Sequence, residues 1–360
     1  MMFHVKRSVG AAIVALLLAA CGGFGSPDGW AGPTALDDSV LFATDNGRLA
    51  VLDSGGNVSE IFPNDAVEQQ LDEELDLDAI YGNPVVAEDR IYQGAYDGFL
   101  YALDIADGAP NLAWRFNAGG HIVGGAALSD GLIVVGSADR HIYGVDGEGR
   151  EQWRFETDER VWATPAFGED LVYVGGMDKV FYALNREGQE QWRFRADAAF
   201  AGTPTVDGDT VYAGCFDKRL YAFDATTGEV RWSLETGNYV WSTPLIHEEA
   251  VIVGSLDGKV YAAQTNDGSL SWEYDSGNRI RAGGVIVDGV LVMANERGDI
   301  FGLDPTSGDE LWKAAEVTDS SVLSDLALVA GSVYVRNEDG DLIEVNPEDG
   351  SWSFVSGEAS

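Results

Sequence analysis

The chain has 360 residues, 45% of them hydrophobic and 45 of them glycine, which is material for a large core joined by many turns. Against 60 acidic side chains there are only 22 basic ones, a formal net charge of -38, and this excludes a nucleic-acid partner because phosphate contacts need clustered Lys and Arg. The charge itself reads either as a solubilising surface, suited to a saline setting, or as an acidic face for a basic partner or cations.

Residues 1–20 read as a lipoprotein signal peptide. Lys6 and Arg7 form a positive start, and Val9 to Leu18 is an apolar run too short to span a bilayer. The junction Leu18-Ala19-Ala20-Cys21-Gly22 resembles a bacterial lipobox, in which Cys21 becomes the lipidated N-terminus; the alternative is an ordinary signal peptide with an incidental cysteine. Lipidation at Cys21 would hold the protein at the cell envelope. That means the periplasmic face of the outer membrane in a host that has one, and otherwise the outer face of the cytoplasmic membrane. Residues 21–31, rich in Gly, Ser and Pro, are expected to be the lipidated cysteine and a flexible tether, with the folded part spanning 32–356.

From there the chain repeats. In residues 210–244, Val211 to Cys215 and Leu220 to Phe223 are apolar strands, the second apolar on both faces and so interior. Val230, Trp232 and Leu234 alternate with polar residues, the pattern of an outer strand with one wet face. Trp114, Trp153, Trp192, Trp232, Trp272, Trp312 and Trp352 set a period of 39 to 40 residues, and about four strands per such period predicts a β-propeller blade. Gly149, Gly188, Gly228, Gly268 and Gly308 each precede a Trp by four residues and leave room for a neighbouring indole, so all seven tryptophans are predicted to dock between blades. The interior strand recurs eight times, first at Leu49–Asp53 and last at Leu342–Val345. The prediction is an all-β, eight-bladed β-propeller of four-stranded blades.

The first unit has Ile61-Phe62 in place of Trp, and an acidic insertion at 63–80 follows it. That segment has no glycine for a calcium loop, so a solvated loop or helical turn is expected, with Leu71, Leu75 and Ile80 as an apolar edge.

Ala222 to Trp232 (AFDATTGEVRW) and Val251 to Ala262 (VIVGSLDGKVYA) resemble the motifs of PQQ-like propeller repeats, and the resemblance covers nearly all of residues 32–356. With the lipobox and eight units, the chain is most similar to the propeller lipoproteins of outer-membrane β-barrel assembly. The resemblance implies a non-enzymatic, monomeric scaffold whose partner is an envelope protein, a component of β-barrel assembly among them. Two rivals stay open: a quinoprotein dehydrogenase holding pyrroloquinoline quinone (PQQ) with calcium, and an exported ligand-sensing propeller. Against the first, the chain lacks the adjacent cysteine pair that several such dehydrogenases carry, and it has no C-x-x-C-H haem site.

No catalytic residue and no metal site is predicted. His4, His121, His141 and His247 are not at metal-ligand spacing, and Cys215 is expected to be a buried, unpaired thiol. Asp97, Asp139, Asp178, Asp217 and Asp257 recur in one strand-to-strand turn, where Asp bonds its own backbone, so they are read as structural. Loops leading into the inner strands carry Arg160, Trp162, Phe200, Tyr239, Trp241, Arg279 and Arg281, the residue types enriched in interface hot spots. These seven are the candidate partner-binding residues. The competing reading is that Trp162, Phe200 and Trp241 start inner strands and fill the ring.

Overall fold

The computed structural model describes residues 29–87, 89–105 and 110–355; the signal peptide, Cys21 and the tether up to residue 28 lie outside them. The described strands form eight four-stranded antiparallel sheets, each built from four consecutive strands. They are blades 1 to 8 of a propeller, at residues 34–62, 85–117, 127–156, 166–195, 205–235, 245–275, 285–314 and 327–354. The first strands lie innermost, and those of blades 7, 8, 1, 2, 3, 4 and 5 pack side by side in that order around the axis.

Blade 5 shows why this sequence makes a blade. Its strands are Thr205–Asp207, Thr210–Cys215, Arg219–Asp224 and Val230–Glu235. The second is buried throughout and the third along its centre, because a blade lies on either side, and β-branched and aromatic residues suit such a strand. The turn into the outer strand is held by Asp224, whose Oδ1 accepts the N–H groups of Thr226 and Thr227.

The outer strand departs from the expected strict alternation. Ala222 faces Trp232 but Phe223 faces Val230, so Arg231 is an extra, bulged residue and Val230 is turned outward, 40% exposed. The same bulge recurs in blades 2 to 7. It aims the Trp sideways at the next blade.

Six of the seven repeat tryptophans dock as the period predicts. Trp114, Trp153, Trp192, Trp232, Trp272 and Trp312 lie over a small residue of their own blade, respectively Ala102, Gly144, Ala183, Ala222, Ala262 and Gly302. Each donates through Nε1 to a carbonyl of the following blade at 2.7–3.1 Å: those of Gly147, Arg186, Ala225, Thr265, Pro305 and Pro347 in the same order. The receiving turn glycines are Gly149, Gly188, Gly228, Gly268, Gly308 and Gly350, where an added Cβ would sit 2.4–2.6 Å from the ring. Burial differs among the six: Trp192, Trp232 and Trp272 are buried, whereas Trp114, Trp153 and Trp312 keep part of the ring edge in solvent.

Trp352 does not dock, contrary to the period. The outer strand of blade 8 lacks the bulge, so Ser353 takes the facing position opposite Glu344, and Glu344 stands where the other seats have Gly or Ala. Trp352 therefore points to solvent, 43% exposed, in edge contact with Phe354.

The insertion is more than a solvated loop. Asn64 caps a helix, α1 (Asp65–Leu71), by accepting from the N–H groups of Ala66 and Val67, and Asp65 and Glu68 favour its positive end. Leu75 and Ile80 are buried as expected, but so are Val67 and Leu77, while Leu71 is only partly buried; together they fill the seam between blades 1 and 2 around Phe62.

The ring closes without sharing a blade between the chain ends. Blades 8 and 1 meet through Val40, Phe42, Leu52, Tyr334 and Leu342. The fold also begins earlier than Gly32: the Ala31 N–H donates to the Ile80 carbonyl at 3.0 Å, and the fully buried Arg336 donates to the Gly29 carbonyl at 3.4 Å. Residues 29–31 are thus packed backbone, and only the part of the tether before them lies outside the described residues. Cys215 is buried, and burial pushes its thiol up. Its Sγ lies 3.3 and 3.4 Å from the carbonyls of Ala198 and Ala199, as the Ser137 hydroxyl lies against those of Ala118 and Gly120 in blade 3.

Candidate functional site

Strands alternate in direction, so the loops entering each blade and the turns between second and third strands emerge on one face. A repeated hydrogen bond ties them: Tyr96, Ala138, Met177, Phe216, Leu256, Glu296 and Glu338 in the turns donate to the carbonyls of Ala79, His121, Arg160, Ala199, Tyr239, Arg279 and Ser321 in the loops, at 2.8–3.0 Å. Three consecutive loop positions then have three fates. The first is held by its carbonyl: Arg160 and Arg279 leave their side chains exposed on the face and Tyr239 is half-buried there, whereas Ala79 and Ala199 are buried. The second is buried: Ile80, Ile122, Val161, Phe200, Val240, Ile280 and Val322 are all at most 1% exposed. The third, Tyr81, Val123, Trp162, Ala201, Trp241, Arg281 and Leu323, lines the mouth of the central channel.

This register corrects one candidate. Phe200 occupies the second position and packs inside against Phe181 and Tyr221, so it is not a surface residue; Ala201 is the true counterpart of Trp162 and Trp241. The other six candidates do share the face or its channel mouth.

At the mouth the structure assembles an aromatic arc that was only partly visible in the sequence. The Arg281 guanidinium lies 3.7 Å from the Trp241 ring centre and 4.2 Å from that of Trp30, a cation held between two indoles. Trp30 meets Tyr81 edge-on at 4.3 Å, Tyr81 meets Tyr96 at 5.3 Å, and Tyr96 stacks on His121 at 3.8 Å. On the other side Phe216 stacks on Tyr239 at 4.9 Å and touches Trp241 at 5.0 Å. Arg160 approaches Trp162 at 6.0 Å, and Arg279 pairs with Glu296 at 3.8 Å. Tyr81 could have been found by aligning the third loop position, and Tyr96 and Phe216 by aligning the turns. Trp30 could not, because it lies outside the repeat.

Beneath the arc is a cavity of about 240 Å³. Residues of its wall and rim bond from one blade to the next: the Gly32 N–H to Asn83 Oδ1 at 2.6 Å, the Gly125 N–H to Thr164 Oγ1 at 2.7 Å, and the Gly283 N–H to Asp325. Asp325 also accepts from Thr243 Oγ1 at 2.6 Å, and burial pushes its carboxyl up. The repeated aspartates are used structurally. Asp97, Asp139, Asp178, Asp217 and Asp257 accept the hydroxyls of Tyr101, Tyr143, Tyr182, Tyr221 and Tyr261 at 2.5–2.7 Å, which leaves no free ring of carboxylates among the described residues. Among the described residues no group of three or more His, Cys, Asp or Glu is placed to hold a metal ion.

Comparison with known proteins gives the site a context. The crystal structure of BamB from Moraxella catarrhalis superposes with a TM-score of 0.71 at 23% identity, covering 92% of this chain and 97% of that one. A computationally designed protein, Ika8, superposes with a TM-score of 0.72 at 18% identity, covering 89% of this chain and 96% of that one. At such identities the likeness is one of fold. No curated protein sequence matches the chain. The family model for outer membrane protein assembly factor BamB matches residues 111–215, 138–284, 178–318 and 276–359, staggered along the repeats. Matched over most of its length, the chain belongs to the BamB family.

Proposed function

We propose that the protein is a non-enzymatic, monomeric scaffold of the cell envelope, anchored through a lipidated Cys21, that binds a protein of outer-membrane β-barrel assembly on its channel-mouth face. The observation that carries this reading is the arc of aromatic and arginine side chains on that face, with Arg160, Tyr239 and Arg279 presented by backbone-anchored loops. Such residues on a rigid support are what interface hot spots require. On a chain of net charge -38, the exposed Arg160 offers this face a cation for an acidic group of a partner.

The rival quinoprotein reading is less well supported by the donors present. Calcium takes about six to eight oxygen ligands. The channel ring offers one carboxylate among the described residues, Asp325, which already accepts from Thr243 and Gly283, and the Arg281 side chain is held between two indoles. Adding quinone and calcium to the purified protein is expected to yield neither a bound chromophore nor dye reduction.

Arg160→Glu combined with Trp162→Ala is the direct test, because Trp241, which shares the channel mouth with Trp162, also packs against Phe216 and Arg281. Loss of hot spots at about 2 kcal/mol or more per residue should abolish co-purification of a β-barrel assembly protein from envelopes while the melting temperature stays put. Neutralising Asp72, Glu73 and Glu74 should weaken capture slightly, and only at low salt. If that trio loses the partner and the loop pair keeps it, the binding face is the insertion instead. For the anchor, Cys21→Ser should leave an exported protein that takes up no labelled fatty acid and leaves the membrane fraction.

A further inference from the structure

Six indoles of this ring rest on turn glycines, and a seventh turn of the same design carries none. The turn Asp53-Ser54-Gly55-Gly56-Asn57 in blade 1 matches Asp146-Gly147-Glu148-Gly149-Arg150 in blade 3 bond for bond. The Gly56 N–H donates to the Asp53 carbonyl and the Gly149 N–H to that of Asp146, both at 3.0 Å. Asp53 Oδ1 accepts from the N–H groups of Gly55 and Asn57 at 2.8 and 2.9 Å, and Asp146 Oδ1 from those of Glu148 and Arg150 at 3.0 and 2.9 Å. The glycines share a left-handed backbone, φ 81 and φ 78.

What differs is the cover. An added Cβ at Gly149 would lie 2.6 Å from the Trp114 ring, whereas at Gly56 no atom of the described residues comes within 4 Å. The preceding blade cannot supply the indole, because its outer strand lacks the bulge and puts Ser353 where Trp would stand. The carbonyl of Ser54 corresponds to that of Gly147, which accepts the Trp114 Nε1–H. Beside the turn a groove of about 620 Å³ follows the seam of blades 8 and 1, walled by Leu52, Gly56, Tyr334, Glu344 and Phe354. That space exceeds what one aromatic side chain fills.

The charge chooses the occupant. Asp38, Asp53 and Glu344 line this groove and, among the described residues, no Lys or Arg does. A second copy of the chain would bring its exposed Trp352 together with Glu348 and Asp349, acid against acid, which costs rather than gains. We propose that the Gly56 turn and its groove form a receptor for a tryptophan flanked by basic residues on a partner polypeptide. The indole would stack on Gly56 and donate to the Ser54 carbonyl as Trp114 does at its own seat, and the flanking cations would meet Asp53 and Glu344. This site is separate from the channel-mouth face and does not depend on the anchor.

The probe is a synthetic peptide copying Gln189–Ala196, in which Trp192 is followed by Arg193 and Arg195, with 5-fluorotryptophan at the Trp position. Fluorine NMR titration against the folded protein should show saturable binding, with contacts from the indole to the Gly56 α-protons. Replacing the peptide Trp by Ala should weaken binding by about thirtyfold, the loss expected of one anchoring aromatic. Gly56→Asn keeps the left-handed turn, because Asn tolerates that conformation, and should weaken binding similarly without shifting the melting temperature. Glu344→Gln should weaken it less, and mainly at low salt. Equal binding of the Trp and Ala peptides overturns the proposal, as does an indole that contacts the channel mouth instead of Gly56. Self-association that is lost in both Trp352→Ser and Gly56→Asn, without peptide binding, assigns the seat to a second copy and overturns it too.

Discussion

Six seams of the ring are joined by an indole, and the two that are not both flank blade 1. At a joined seam one Trp covers a small residue of its own blade and bonds to the next blade's turn, so the whole connection is written within one repeat. The seams of blade 1 are made differently. Between blades 1 and 2 the apolar side of the insertion makes the joint, with Phe62 against Tyr101 at 5.1 Å. Between blades 8 and 1 the described residues make an apolar joint around Val40, Phe42, Tyr334 and Leu342, and the strap of residues 29–32 reaches Ile80, Asn83, Arg281 and Arg336. A repeat can propagate by copying a local device. It cannot close by one, because closure joins residues about three hundred positions apart, and segments outside the repeat supply it here.

The contrast can be broken at the indoles. Trp232→Ala removes a buried aromatic shared by two blades and should cost about 3–5 kcal/mol in urea unfolding. Trp352→Ala removes an exposed one and should stay within about 0.5 kcal/mol. Equal effects would mean that the seams do not differ. Loss at Trp232 should destabilise the ring as a unit, since no blade owns a complete core.

A smaller effect is expected at the strap. Trp30→Ala takes away one half of the sandwich on Arg281, a partly desolvated cation–π contact of about 1–2 kcal/mol, and should lower the thermal midpoint accordingly. Because the strap bridges the weakly joined blade, hydrogen exchange should speed up in residues 34–62 before it does in blades 3 to 6. Uniform acceleration would show that blade 1 is as firmly seated as the rest.

The smallest effect belongs to a joined blade and depends on pH. Arg231, the bulged residue of blade 5, bonds to Asp224 and Asp209, and its hydrogen bond holds the Asp224 carboxyl down at about 2. A depressed carboxyl contributes stability above its unfolded pKa and loses it as pH falls through the folded one. Arg231→Gln should therefore flatten the fall in stability between about pH 4 and pH 2. As the pair is solvent-exposed, the change should stay below about 1 kcal/mol. An identical acid limb in both proteins would show that the bridge contributes nothing.

Much of this was legible in the sequence because a propeller blade is a local object. The period of the tryptophans, the interior third strand, the aspartate turn and the glycine beneath each neighbouring indole all lie within one repeat. Period-2 patterning and turn chemistry report on such a unit directly. Register was harder. A single bulge decides whether an aromatic faces the seam or the solvent, so Trp352 kept the spacing of Trp272 and Trp312 and lost the seat, while Phe200 fell one position short of the channel mouth. The sequence alone therefore determined the blade, the number of blades and which face carries the loops. Only the tertiary structure decided which indoles dock, how the ring is shut and that Trp30 stands on Arg281. Those outcomes depend on strand register and on residues brought together across the axis, and local pattern carries no information about either.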